Sequence, residues 1–205
     1  FQMKLNKVLA LALSGVMAVS MLAGCSGNPG NGGQEGEGET TVDTTVASVL
    51  NDEQAATDNK VKIDFTYSSS LENALEKALT EFGASVKPEN VDDRIAEILG
   101  VKDVNIEELY GSSAKDHDNK EGKQTSVVVI KKSGLTDTGV AKEMYTTMKD
   151  KLAKLTPDWE PENSEIKWSF DYTGETAMVK VATETQTYTY MVATITCNTT
   201  KALAD

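Results

Sequence analysis

The stretch that decides the fold class is Ile166–Cys197, with the sequence IKWSFDYTGETAMVKVATETQTYTYMVATITC. Apolar and polar residues alternate along most of it, which is the pattern of strands with one buried face. Gly174 and the polar segment 184–186 interrupt the alternation, and both are predicted to be turns. Because connections this short join antiparallel neighbours, we predict a C-terminal three-strand meander.

The segments before the meander carry signals for one strand and two helices. Lys60–Tyr67 alternates and predicts a half-buried strand. Ser69 and Glu72 have the spacing of a capping box, which predicts the start of a helix, and Gly83 is placed to end it. A second, shorter helix is predicted over 88–99, between a proline and a glycine.

One strand is predicted to be covered on both faces. Gln124–Lys132 contains the β-branched run Val127–Ile130, which lacks alternation and is typical of a strand buried on both sides. A helix follows over about 137–155. The order of elements is therefore strand, helix, helix, strand, helix, meander. This order predicts an α+β fold, a mainly antiparallel sheet with helices packed on one face.

The folded part is predicted to be a single domain over residues 45–205, with an ordered core at about 60–198. Within Thr41–Asn59, Val42, Val46, Val49 and Leu50 recur at helical spacing. A short helix is therefore possible here, but its polar continuation suggests that it has little to pack against.

The charge of the chain excludes some partners. The formal net charge is −12 at pH 7, whereas binding to phosphate backbones requires clustered Lys and Arg. We therefore expect no nucleic-acid partner. The acidity is explained by solubility and self-repulsion, with a cationic ligand or metal ions as the alternative.

Few residues suggest catalysis or metal binding. His117 is the only histidine, and it lies in a polar loop, so a Ser-His-Asp or Cys-His arrangement would depend on it. Asp116, Asp118 and Glu121 surround it but lack the spacing of a calcium loop. Zinc ligands, a P-loop and a GxGxxG motif are all missing from the sequence. We therefore assign no catalytic residue, metal or cofactor, although paired carboxylates among 32 acidic residues remain an open alternative.

The last predicted strand offers one candidate binding surface. Tyr188 and Tyr190 lie in the opposite phase from Met191 and the apolar residues after it, so one of the two sets is free to face outward. Exposed tyrosines are good contact residues, and we take this pair as a possible binding surface. Cys197 shares the apolar phase and is predicted to be a buried, unreactive thiol. The alternating aromatics Trp168, Phe170 and Tyr172 are predicted to be core residues, with a ligand groove as the alternative.

The N-terminal segment has the layout of a secretory signal. Lys4 and Lys7 precede an apolar run, and the run ends in Leu22-Ala23-Gly24-Cys25. This tetrapeptide resembles the lipobox of bacterial lipoproteins. The resemblance covers residues 3–25 and says nothing of the domain that follows.

The resemblance implies that Cys25 receives a diacylglyceryl group and becomes the first residue after cleavage. Two acyl chains, such as palmitate, give a stable membrane hold. We thus expect a signal peptide at 1–24, in which Phe1 and Gln2 are extraneous, and a lipidated, glycine-rich tether at 25–44. The expected location is extracytoplasmic, lipid-anchored to the bacterial cell membrane.

These expectations favour a non-enzymatic binding or interaction domain with an unknown protein or small ligand as its partner. A cell-envelope enzyme that uses carboxylates is the first alternative. The second is a small solute-binding component of an uptake system, although such proteins usually have two lobes.

Overall fold

The structure is a computed structural model that describes residues 42–109, 121–160, 162 and 165–203. Within these residues the chain forms four α-helices and a five-stranded, mostly antiparallel sheet, which confirms the predicted α+β class. The elements in chain order are α1 (Val42–Ala55), β1 (Phe65–Tyr67), α2 (Ser69–Phe82), α3 (Pro88–Leu99), a 3₁₀ turn (Ile106–Leu109), β2 (Gly122–Ser133), α4 (Asp137–Leu152), β3 (Asp158–Trp159), β4 (Ile166–Ala182) and β5 (Thr187–Leu203).

The centre of the sheet is one long hairpin. Strands β4 and β5 are each 17 residues long and pair from Ala182 and Thr187 at the turn to Ile166 and Leu203 at the open end. The strand order is β1-β4-β5-β2, with β1 parallel to β4 and β3 also paired with β4. The predicted three-strand meander is therefore wrong, because its first two strands form one continuous strand, β4.

The reason lies at Gly174, which is inside β4 and opposite Phe65 of β1. A Cβ atom at position 174 would lie 2.5 Å from Cδ1 of Phe65 and 2.8 Å from Cγ2 of Ile63. Glycine is needed here because the neighbouring segment packs closely over the strand, and a glycine inside a strand often marks such an approach. The same residue in a sequence is easily taken for a turn.

Helices cover both faces of the sheet, so the prediction of helices on one face is wrong. Met191 and Ala193 of β5 belong to a core that contains residues of α1 and α4. Tyr190 and Val192, which point the other way, belong to a second core with residues of α2 and α3. Since both phases of the central strand are apolar, each face needs its own cover.

Helix α1 is part of the first core, contrary to the expectation that it has little to pack against. Val46 and Leu50 are buried in that core. The side-chain amide of Gln54 exchanges two hydrogen bonds of 3.0 Å with the backbone N–H and C=O of Ile63. Ordered structure thus begins well before residue 60.

Local signals placed most of the other boundaries correctly. The predicted strand 124–132 and the helix after it are confirmed, and Gly100 ends α3 in a left-handed conformation with φ of 68°. The cap of α2 is Ser68 rather than Ser69, because the Ser68 hydroxyl accepts from the Leu71 N–H. No helix among the described residues is long and apolar enough to cross a membrane.

Candidate binding site at the edge of the sheet

A slot opens along the outer edge of β2, the last strand of the sheet. Its cavity volume is about 200 Å³. The floor is the edge of β2 itself, one wall comes from α3, and the other wall comes from α4. The lining residues are Asp92, Asp103, Val104, Asn105, Ile106, Ser126, Val127, Val128, Val129 and Lys151.

Two carboxylates, those of Asp92 and Asp103, line the slot. Asp92 follows the buried Val91 on α3 and is half-buried. Burial raises the pKa of Asp92 to about 6, and the negative charges of Asp93 and Asp103 act in the same direction. Burial also raises the pKa of Asp103. Burial is the largest cause of both shifts. Among the described residues no side chain forms an ion pair with either carboxylate.

Asp103 is also bonded to the edge of β2. Its carboxylate accepts a 2.7 Å hydrogen bond from the Val127 N–H, and the N–H of the next residue, Val104, donates to the Thr125 carbonyl at 3.1 Å. Residue 103 forms a parallel bridge with Thr125. A short piece of the chain therefore already occupies the first part of the edge of β2.

The opposite wall carries positive charge. Lys151 comes from the last turn of α4 and is partly exposed. Among the described residues it has no ion-pair partner, whereas the nearby Lys154 pairs with Glu107. The slot thus has carboxylates on one side and an ammonium group on the other.

The two edges of the sheet differ in how their outward backbone groups are hydrogen-bonded. At β1, the amide of Asn51 on α1 accepts from the Phe65 N–H at 2.8 Å and donates to the Phe65 carbonyl at 3.0 Å. Gln54 does the same at Ile63. These amides saturate the backbone there as another strand would. At β2 the described residues provide such cover only at Thr125 and Val127.

The two tyrosines predicted to form a binding surface, Tyr188 and Tyr190, do not form an exposed patch. Tyr190 is fully buried in the second core, and its hydroxyl donates to the carbonyls of Ala84 and Val86 at 3.0 and 2.9 Å. Tyr188 is half-buried, and Lys131 places its ammonium group 3.9 Å from the centre of the Tyr188 ring. Tyr190 and Lys131 therefore hold the loop between α2 and α3 against the sheet, and Tyr188 packs against the Lys131 ammonium group.

Cys197 lies where its strand phase placed it. It is fully buried in the first core, next to Tyr172 on β4. Burial raises the pKa of the Cys197 thiol. A protonated thiol without access to solvent does not act as a nucleophile. The predicted core aromatics Trp168, Phe170 and Tyr172 are buried as well.

Several predicted residues lie outside the described part of the chain. These are the signal segment with Leu22, Ala23, Gly24 and Cys25, and the loop residues Asp116, His117 and Asp118. Glu121 is described, and its carboxylate accepts from the Lys201 N–H at 3.2 Å. Within the described ranges no group of three or more His, Cys, Asp or Glu side chains is placed to hold a metal ion.

Sequence reasoning missed Asp92 and Asp103. A weak signal was present, since Asp92 adjoins the apolar stripe of its helix and therefore lies at the border of the buried face.

Comparison with protein-family models, with curated proteins and with solved structures finds no match to this chain.

Proposed function

We propose that this chain is a lipid-anchored extracytoplasmic lipoprotein of the bacterial cell membrane and that its domain acts by binding a partner rather than by catalysis. The observation that carries the binding role is the slot at β2, a solvent-open site lined by the Asp92 carboxylate from α3 and by the Lys151 ammonium group from α4. Charged walls beside free backbone groups are suited to recognition. The lipobox-like Leu22-Ala23-Gly24-Cys25 supports the location.

The anchor is tested with the two cysteines of the chain as a matched pair. Cys25→Ala removes the acceptor thiol, while Cys197→Ala removes a thiol that is buried in the core. We expect labelled palmitate to be incorporated by the wild type and by Cys197→Ala but not by Cys25→Ala. Partition into detergent reports membrane anchoring, and the mass of the protein reports cleavage before residue 25. Equal labelling and processing of all three proteins would end the lipoprotein proposal.

An envelope enzyme is the second candidate, and one observation favours it. A carboxyl group with a pKa of about 6 beside a second carboxylate is a plausible general acid at neutral pH. We would assay hydrolysis of nitrophenyl glycosides and esters from pH 4 to 8. The binding proposal expects no turnover. A rate that Asp92→Asn abolishes and Glu89→Gln on the exposed first turn of α3 preserves would favour the enzyme.

An uptake component receives less support. Such proteins usually close two lobes around a solute, whereas the described residues form one sheet with helices on its two faces. The slot lies at the side of that sheet.

A further inference from the structure

We propose that the slot binds an extended peptide segment, which adds to β2 as a further strand and places a basic side chain toward Asp92 and an acidic one toward Lys151. This inference rests on the proposed binding function and names the class of partner. Recognition by strand addition combines main-chain hydrogen bonds with side-chain contacts at alternate positions.

The first argument is the direction of the backbone groups of β2. The Thr125 carbonyl and the Val127 N–H point away from β5, since they bond to Val104 and Asp103. Backbone direction alternates along an antiparallel strand, so Val129 and Lys131 also turn their backbone groups outward. No described strand pairs with this part of the edge. A row of free donors and acceptors at strand spacing selects an extended backbone as its ligand.

The second argument is that the edge already forms a single β-bridge with another segment of the chain. Residue 103 bridges to Thr125 in the parallel sense, but the chain leaves the edge immediately afterwards at the 3₁₀ turn. At the opposite edge of the sheet, the side-chain amides of Asn51 and Gln54 bond to the backbone of Phe65 in β1 and of Ile63 just before it. The chain thus covers the backbone groups at that edge and leaves those of β2 available next to the slot.

The third argument is the charge of the two walls. A strand lying along β2 points successive side chains alternately toward α3 and toward α4. Asp92 lines the slot from α3 and Lys151 lines it from α4, while Asp103 is bonded to the edge of β2 itself. Neighbouring basic and acidic residues in the peptide would each meet an opposite charge. A second copy of β2 would have to associate with a chain of the same net charge, −12, which opposes self-pairing.

The test measures fluorescence anisotropy of a labelled peptide, Thr-Val-Lys-Glu-Val-Thr, with the full-length chain in detergent. One comparison peptide has Gln in place of both charged residues. Another carries N-methyl groups on the amides that would face β2. The protein variants are Asp92→Asn, with Glu89→Gln as the matched control, and Val129→Pro, which removes an outward N–H. Because the Val129 side chain is buried in the second core, Val129→Ala is the control that loses the side chain and keeps the N–H.

We expect the charged peptide to bind about three- to tenfold more weakly to Asp92→Asn than to the wild type and Glu89→Gln, as for a partly exposed ion pair. N-methylation and Val129→Pro should abolish binding. If Val129→Pro does not fold, as judged by circular dichroism, the N-methylated peptide supplies the same test.

Three results would overturn the proposal. They are the absence of binding by either unmethylated peptide, equal binding of the N-methylated peptide, and equal affinity of the wild type and Asp92→Asn. A wild-type dimer that Val129→Pro dissociates, without peptide binding, would identify a second copy as the occupant and would also overturn it. The anchor assay on Cys25 reports on the proposed function independently of all these outcomes.

Discussion

Gly174→Ala should destabilise the fold although it replaces glycine with a better strand former. The new Cβ atom would lie 2.5 Å from Cδ1 and 2.7 Å from Cε1 of Phe65. Carbon atoms in contact are normally about 3.5–4.0 Å apart, so about 1 Å of movement is required. Phe65 is 2% exposed, and its backbone is held between the β4 partner and the Asn51 amide. Neither side of the contact can move away freely.

The magnitude follows from two opposing effects. Overpacking a well-packed core costs about 1–3 kcal/mol. Replacing glycine restricts the unfolded chain, which returns about 0.4–1 kcal/mol. We therefore expect Gly174→Ala to lower the free energy of unfolding by about 1–2 kcal/mol. At the scale of this domain the melting temperature should fall by roughly 2–8 °C.

Urea denaturation followed by tryptophan fluorescence measures the effect, since Trp159 and Trp168 both lie in strands that adjoin the first core. Phe65→Leu and the double variant complete a mutant cycle. The double variant should be more stable than the sum of the single effects predicts, because the smaller side chain makes room for the new methyl group. Unchanged or increased stability of Gly174→Ala would refute the close approach of β1 and favour the turn that the sequence predicted at Gly174.

Three further predictions concern the thiol, the slot and the tether. Cys197 should resist a thiol reagent at neutral pH until the chain unfolds, and Cys197→Ala should lower the free energy of unfolding by about 1 kcal/mol. Fast labelling of the native protein would place the sulfur at the surface. Asp92→Asn should raise the free energy of unfolding at pH 7 by about 1 kcal/mol. This value is smaller than the full pKa shift of Asp92 would give, because the carboxylate is partly exposed to solvent. The folded pKa of Asp92, about 6, lies above its ordinary value of 3.8, so ionisation opposes folding increasingly as pH rises from 4 to 6. The gain should vanish at pH 3.5 in urea titrations, and a gain that does not depend on pH would contradict this account. Deleting 27–39 should change the melting temperature by no more than about 2 °C, because this segment lacks large apolar residues to bury. A larger fall in calorimetry would show that it packs on the domain.

Local chemistry in the sequence was sufficient for most of the elements. Helix α3 has Pro88 in its first turn and Gly100 immediately after its end, where a positive φ is required. The phase of Cys197 could be read from the apolar residues that precede it on β5, and the burial of its thiol followed. Each of these features depends on neighbours within a few positions along the chain.

Only the tertiary structure decided how the elements combine. Periodicity separated the two phases of β5 but left one of them free to face outward. It did not show that both are buried, with α1 and α4 over one face and α2 and α3 over the other. Gly174 reads as a turn until the Phe65 ring is placed over it. The slot arises because Asp92, Asp103 and Lys151 come from three segments that meet at the edge of β2. A sequence pattern reports which residues share a face of their own element, whereas the choice of neighbour is made by contacts between residues far apart in the chain, whose energies no local window contains.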